Sequence, residues 1–417
     1  MPGVTSVSLD QAFIHRWKNA PLVLALSGGG DSTALLHLLA DSGARFRAVV
    51  IDHALRDGSS KDANRAAMFA EARGVGAEIV TLTWTGNSAR GQEASRRARY
   101  VALCDAARRS GAEAILTAHT ADDQAETVLM RAGAGSGWRG LAGMAAESSA
   151  PVWPEGRGVR LLRPLLNTRR DDLRALLRAR GAAWIEDPAN TNPRFERVRV
   201  RAQLSELERS GFDSARLART AGRLRTLADS LDAEARALIA QAAIIGQGEI
   251  KLARAAWRGA ELVCQRALAV LLAAAAGAER LAEAEAVARL MPRLTEEGFR
   301  GATLGGAALV AANGDVVLKR DPGALLGRAG VAAIAPLHLP PRIETVWDGR
   351  LAVNANEAGW RVTIDDQARP IFERGQAVLS LAEAISGGVV EATWLTRAAI
   401  AHRLGPDFAM SPSISVG

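Results

Sequence analysis

Pro21-Leu-Val-Leu-Ala-Leu-Ser27-Gly28-Gly29-Gly30-Asp31-Ser32-Thr-Ala-Leu-Leu-His-Leu-Leu39 is the stretch on which the fold turns. Leu22 to Leu26 form a short unbroken apolar run, the pattern of a strand buried on both faces of a parallel sheet. Three glycines follow at once. Asp31 or Ser32 can then cap a helix whose buried stripe is Leu35, Leu36, Leu38 and Leu39. Strand, glycine turn and helix N-terminus together make an anion site: glycines admit a close backbone approach, amides point inward, and the helix dipole favours negative charge. The expected ligand is a phosphate.

Two familiar phosphate loops are excluded. A Walker A loop requires a lysine beside its last glycine, and none is near; the dinucleotide fingerprint would place its third glycine at Thr33. What stands instead, S-G-G-x-D-S, resembles the loop of the PP-loop ATP pyrophosphatases. That resemblance implies that Ser27, Gly28, Gly29, Gly30, Asp31 and Ser32 hold the pyrophosphate of ATP. It further implies cleavage between the α- and β-phosphates to adenylate a substrate.

Downstream, apolar runs at 46–51, 77–84 and 113–118 alternate with helical stretches at 59–73 and 92–109. This alternation predicts an α/β, doubly wound parallel sheet. Asp52-His53-Ala-Leu-Arg56 falls at a carboxyl strand end, where open α/β sheets bind ligands. The 92–109 helix is strongly basic, with Arg96, Arg97 and Arg99 before Tyr100. His119-Thr-Ala-Asp122-Asp123-Gln-Ala-Glu126 follows the 113–118 strand. If Asp122 opens a helix, His119 lies just outside it, and Asp122 and Glu126 share a face. Acidic groups in a first turn suit plain capping as well. Their place at a strand end, before the glycine-rich, cationic 133–140 loop with Arg139, favours carboxylates that hold Mg²⁺ or accept an amine.

The chain has 417 residues, enough for two or three domains, and a net charge of +7. Residues 131–220 contain 17 arginines and 10 acidic residues, so the whole excess sits there. Beside an ATP site this suggests a polyanionic substrate such as RNA, although arginine is also simply abundant in a chain with four lysines. Arg194, Arg197 and Arg201 are spaced to share one helical face, either solvated or tracking a nucleic-acid backbone. Cys104 and Cys264 are too few for a disulfide framework or zinc knuckle. The N-terminus lacks an apolar signal region, and the most apolar stretch, 267–278, is too short for a membrane span. The expectation is a cytoplasmic protein without membrane contact, and nothing in the sequence excludes a homodimer.

Five motifs then fall in order: S-G-G-x-D-S, D-H-x-L-R at 52–56, A-H-x-x-D-D-Q-x-E-T at 118–127, R-P-L-L at 163–166 and W-I-E-D-P-x-N at 184–190. Over about residues 20–205 the chain resembles the tRNA(Ile)-lysidine synthases. The resemblance implies ATP-dependent joining of free L-lysine to C2 of the wobble cytidine of a tRNA(Ile) with a CAU anticodon, with ATP and Mg²⁺ required. Under it, Asp31, His119, Asp122 and Asp123 are candidate catalytic residues, with Asp31 a candidate Mg²⁺ ligand. Asp123, Glu126, Arg139, Arg194, Arg197 and Arg201 are candidates for contact with lysine or tRNA. Thr120, Val198 and Gln92 depart from common family residues. The alternatives are a PP-loop tRNA sulfurtransferase, which needs a reactive cysteine, and a nucleotide-binding module without catalysis.

Beyond residue 205, leucines at 217, 224, 231 and 238 predict a long helix. The expected organisation is a catalytic domain over 1–210, a mostly helical tRNA-contacting domain with a hairpin at Asn313-Gly314 over 211–333, a small α+β domain over 334–405, and a disordered tail from 406 to 417.

Overall fold

The computed structural model describes residues 7–84, 91–186, 192, 194, 196–328, 330 and 332–405. The expected tail at 406–417 and the 187–190 part of the last motif lie outside them. The chain forms two compact units, residues 1–229 and 230–417.

In the first unit, α1 (Gln11–Trp17) leads into β1 (Leu22–Ala25), α2 (Gly30–Ser42), β2 (Phe46–Asp52), α3 (Ser59–Glu71), β3 (Ala77–Thr81) and α4 (Gln92–Arg109). There follow β4 (Ala114–Leu116), α5 (Ala121–Gly133), α6 (Trp138–Leu141), β5 (Glu147–Ser149), β6 (Arg160–Leu162), α7 (Arg170–Ala179) and α8 (Glu196–Arg209). The strand order is β3-β2-β1-β4-β6-β5. All neighbours are parallel except β5, which runs antiparallel to β6 at the edge. The sheet is therefore doubly wound, as the alternation predicts.

The period of two in β1 sorts its side chains onto two cores. Leu22 and Leu24 pack with Leu35, Leu36 and Leu39 of α2 and Leu173 of α7, while Val23 packs with Tyr100, Leu103 and Cys104 of α4 on the other face. β1 and β4 are neighbours, and the chain winds outward from them in opposite directions, so a crevice opens beyond their carboxyl ends. The loops after β1 and β4 meet there.

One expected cap differs: α2 begins at Gly30 with Gly29 as its N-cap, so Asp31 and Ser32 lie inside the first turn and cap nothing. α7 begins at Arg170 with Arg169 as N-cap and has no cap hydrogen bond from that residue's side chain.

A 29-residue helix, α9 (Ser214–Ala242), follows. Ser214, Ala221, Ala228, Ala235 and Ala242 are buried seven residues apart, with Ile239 beside them, so the seven-residue repeat is real but mostly alanines, not the leucines, fill the seam. The second unit holds a five-stranded antiparallel sheet (243–245, 249–252, 315–320, 307–312 and 301–304) with helices at 261–276 and 284–295. The strands at 243–252 were not expected from sequence. Asn313 and Gly314 both have positive φ, as a two-residue hairpin of this type requires. A four-stranded and a three-stranded sheet follow, sharing a core of Trp347, Leu351, Trp360, Val362 and Phe372.

Candidate active site

The glycine loop is held from three sides. The Ser27 and Ser32 hydroxyls lie 3.0 Å apart, Ser32 Oγ donates to the Gly29 carbonyl at 3.0 Å, and Thr33 Oγ1 donates to the Gly28 carbonyl at 3.2 Å. Gly28 has φ +77°, and a Cβ there would lie 2.6 Å from Ile185 Cδ1. The Ile185 amide donates to the Gly28 carbonyl at 2.8 Å. The Trp184-Ile185 part of the last motif is thus a clamp on the loop. The first-turn amides of α2 have no partner within the helix and sit under the helix dipole, which is the electrostatics of a phosphate site.

Across the crevice, Thr120 caps α5. Its hydroxyl accepts from the Asp123 amide at 3.3 Å, and Asp123 Oδ2 accepts from the Thr120 amide at 2.8 Å. Capping is therefore one job of Asp123, but only of one oxygen. Its Oδ1 accepts from Arg170 Nη2 at 2.8 Å and Arg197 Nη2 at 3.3 Å. Glu126, with 1% of its side chain exposed, meets three guanidiniums: Arg201 Nε at 2.7 Å, Arg197 Nε at 2.8 Å and Arg170 Nη1 at 3.4 Å. Asp122 turns the other way. Its Oδ2 accepts from the Arg170 amide at 2.8 Å, supplying from α5 the cap that α7 lacks.

Arg170 joins the two halves. Its Nε donates to Asp31 Oδ2 at 3.2 Å, so one guanidinium spans Asp31, Asp123 and Glu126. Those carboxylates hold it well above an ordinary guanidinium, against the opposing effect of burial. Burial raises the Asp31 carboxyl, with Arg170 opposing it. Beside this cluster lies a cavity of about 370 Å³ lined by both signs of charge, among them Asp122, Glu126, Arg169, Arg174 and Glu208.

His119 sits just before α5 with Nδ1 3.0 Å from Thr117 Oγ1. Burial, then Arg163, Arg99, Arg197 and Arg96, push its imidazole down to about 2. It is neutral at physiological pH and a poor proton acceptor, so its place in the site is that of a neutral hydrogen-bonding ring. Cys104 is buried in the α4 core and its thiol is pushed up to about 12 by burial. Cys264 is likewise buried and raised. Neither carries the thiolate that sulfur transfer requires.

A family model described as a PP-loop domain matches residues 5–208. The tRNA(Ile)-lysidine synthase of Hyphomonas neptunium is 40% identical over 324 residues, covering 75% of this chain and 85% of that one. The same enzyme of Mesorhizobium japonicum is 38% identical over 375 residues, covering 84% and 78%. The chain belongs to the tRNA(Ile)-lysidine synthase family. As a PP-loop lysidine synthase relative, it uses ATP. A U34-tRNA thiolase from Methanococcus maripaludis overlays on 52% of this chain and 76% of its own, at 19% identity and TM-score 0.43, a likeness too loose to weigh.

In this lysidine synthase family member the fold brings together Ser27 to Ser32, Asp31, His119, Asp122, Asp123 and Glu126. It does not assemble the three-arginine face. Arg194 precedes α8, and its amide donates to Asn192 Oδ1 at 3.0 Å. Arg197 and Arg201 turn inward onto Glu126 and Asp123, because a buried carboxylate claims the nearest guanidiniums. Arg139 lies on α6, its Nη1 donating to the Ala228 carbonyl of α9 at 3.3 Å. Among the described residues no group of three or more histidine, cysteine or acidic side chains forms a metal cage.

The residue missed from sequence is Arg170, with Arg169 beside it. One signal was legible. Two arginine charges at a helix N-terminus oppose the dipole and need carboxylates to meet them; Asp122 meets Arg169, whose Nη2 lies 3.3 Å from its Oδ1, while Asp31, Asp123 and Glu126 meet the Arg170 guanidinium.

Proposed function

We propose that this chain joins free L-lysine to C2 of the wobble cytidine of a tRNA(Ile) with a CAU anticodon, consuming ATP and releasing pyrophosphate and AMP. The observation that carries this reading is the joining, through Arg170, of a phosphate loop to buried carboxylates in one crevice. The C2 oxygen attacks the α-phosphate of ATP, and pyrophosphate leaves into the Ser27–Ser32 loop. The lysine ε-amine then attacks C2 and expels AMP. Lysine arrives as an ammonium, so a carboxylate must hold it and take a proton. Asp123 and Glu126 are assigned that role, with lysine competing for oxygens that the arginines occupy. The neighbouring cavity, lined by both charges, suits a zwitterionic amino acid. His119 orients by hydrogen bonding, and Asp122 acts as a positioning residue through the α7 cap.

Asp31, a carboxylate beside the glycine loop that shares only its Oδ2 with Arg170, would hold Mg²⁺, and the ion would offset phosphate charge there. Arg194 and Arg139 are assigned to tRNA backbone contact, and the later sheets over 211–333 and 334–405 to the tRNA body. The reaction places the protein in the cytoplasm.

The test is an incubation with ATP, labelled lysine and a tRNA(Ile) transcript bearing CAU. Pyrophosphate release should require the tRNA, and label should enter the RNA. Release without tRNA, or RNA that gains sulfur rather than lysine, would overturn the reading.

A further inference from the structure

Near His119 lies a second charged assembly that the chemistry above does not use. Tyr100 of α4 is fully buried, yet its hydroxyl has no well-formed hydrogen-bond partner. The guanidinium carbons of Arg96 and Arg99 lie 5.0 and 5.1 Å from its ring centroid. Arg163 of the R-P-L-L motif forms the floor. It is 7% exposed, with Nη1 donating to the Ala145 carbonyl at 2.6 Å and to Ser148 Oγ at 3.1 Å, while its Nε finds no partner. Arg131 and Arg225 both press on Arg163; Arg131 Nη1 donates to the Gly140 and Gly143 carbonyls at 2.8 and 3.1 Å, and Arg225 pairs with Asp229 at 3.5 Å. Arg99 Nε is also buried and unpartnered.

Among the described residues none of Arg96, Arg99, Arg131 and Arg163 makes an ion pair with a carboxylate. The contrast with Arg170, Arg197 and Arg201, which share buried acids, is the point. Like charges gathered in a partly desolvated place repel one another and carry a burial cost, and such a group persists where an anion completes it. Burial and mutual repulsion lower Arg163 and Arg96. Arg96 is exposed, so the assembly opens to solvent along its rim. Guanidinium forks suit phosphate oxygens.

We propose that Arg96, Arg99, Arg131 and Arg163, around the Tyr100 hydroxyl, form a cradle for a backbone phosphodiester of the RNA beside the base presented at His119. The cradle deepens the proposed function and rests on its assignment of RNA as substrate. Held there, the phosphate fixes the register of the strand, so that the reacting base enters the crevice beyond the carboxyl ends of β1 and β4. The other source of the same chemistry is a phosphate of ATP.

Tyr100 is the only tyrosine in the chain, which makes it a private reporter. The nearby arginines draw its phenol down, against burial; an anion bound among them cancels that pull and must raise it. The full chain labelled with 3-fluorotyrosine gives one fluorine resonance, whose pH titration is followed alone, with a CAU anticodon stem-loop bearing 2′-O-methyl sugars, and with a non-hydrolysable ATP analogue. The stem-loop should raise the midpoint by about one unit, and the ATP analogue should leave it in place. A midpoint moved only by the analogue would overturn RNA as the source; one moved by neither would overturn the cradle. Arg96→Gln, on the exposed rim, should weaken stem-loop binding about tenfold and reduce its log–log salt slope by about 0.7 to 0.9. An unchanged slope also counts against the proposal. A Tyr100 response in a chain that ligates no lysine would leave the cradle standing and remove the assigned reaction.

Discussion

Glu126→Gln tests whether the carboxylates of the crevice are a coupled ionic cluster rather than a set of surface pairs. The carboxylate is 1% exposed and contacts Arg170, Arg197 and Arg201 within 3.4 Å. Removing one partner from a fully buried pair costs about 3 to 5 kcal/mol, because the remaining charge is stranded. Here the stranding is incomplete. Arg197 and Arg201 are 38% and 36% exposed and can rehydrate, so their share falls toward the ~1 kcal/mol of surface pairs. Arg170, 15% exposed, keeps Asp31 and Asp123. The expected loss is about 2 to 4 kcal/mol, which for a unit of this size lowers its melting temperature by roughly 5 to 15 °C. Arg201→Gln leaves Glu126 with two guanidiniums and should cost about 1 kcal/mol or less. Thermal unfolding by circular dichroism of both variants supplies the comparison. A Glu126→Gln melt within about 2 °C of wild type, or an Arg201→Gln loss as large, would refute the cluster.

Asp31→Ala and Ser27→Ala should each abolish tRNA-dependent pyrophosphate release with the fold intact, the Asp31 variant losing about 1 kcal/mol or less because Arg170 keeps Asp123 and Glu126; wild-type turnover in either would remove the phosphate-loop assignment. Cys104→Ala combined with Cys264→Ala should retain most lysine ligation, because a thiol pushed up to about 12 has no thiolate to offer; complete loss with an unaltered melt would favour sulfur chemistry. His119, held at about 2 in the fold against an ordinary 6.5, lends stability that is fully present above pH 6.5 and is lost as pH falls toward 2. Its contribution is at most about 1.4 kcal/mol per pH unit. His119→Gln should flatten the fall in urea-unfolding stability between pH 6.5 and 4, and an identical slope would contradict the buried neutral imidazole.

Periodicity carried the fold of the first unit because both faces of its sheet are covered. An unbroken apolar run such as Leu22–Leu26 has few other homes, and the glycines after it allow one turn. The caps were less legible, since the cap of α7 comes from Asp122, 48 residues away in sequence. No local pattern announces a cap borrowed from another helix. The strands at 243–252 were hidden for a similar reason: short, alanine-flanked segments look helical until 249–252 pairs with the strand at 315–320 and 243–245 pairs with 249–252. In the crevice, residue identity was legible but partnership was not. Arg197 and Arg201 were read by spacing alone as an outward face, and spacing cannot register that a buried acid stands on one side of a helix.

Charge density along the chain is therefore a poor guide to where RNA lies. Residues 131–220 hold the whole net charge, yet Arg169, Arg170, Arg197 and Arg201 within them face Asp122, Asp123 and Glu126 and contribute little field outward. Arg131 and Arg163, from the same segment, join Arg96 and Arg99 from α4, in an otherwise balanced part of the chain, to make an uncompensated group. His119 loses its basicity to burial first, and then to arginines of both sets. An ammonium substrate is drawn to the side where carboxylates are shared out among arginines, and a phosphate to the side where no carboxylate answers them. A reaction that brings a cationic amino acid to a polyanionic strand needs that separation, because mixed charges would bind each substrate's neighbour instead.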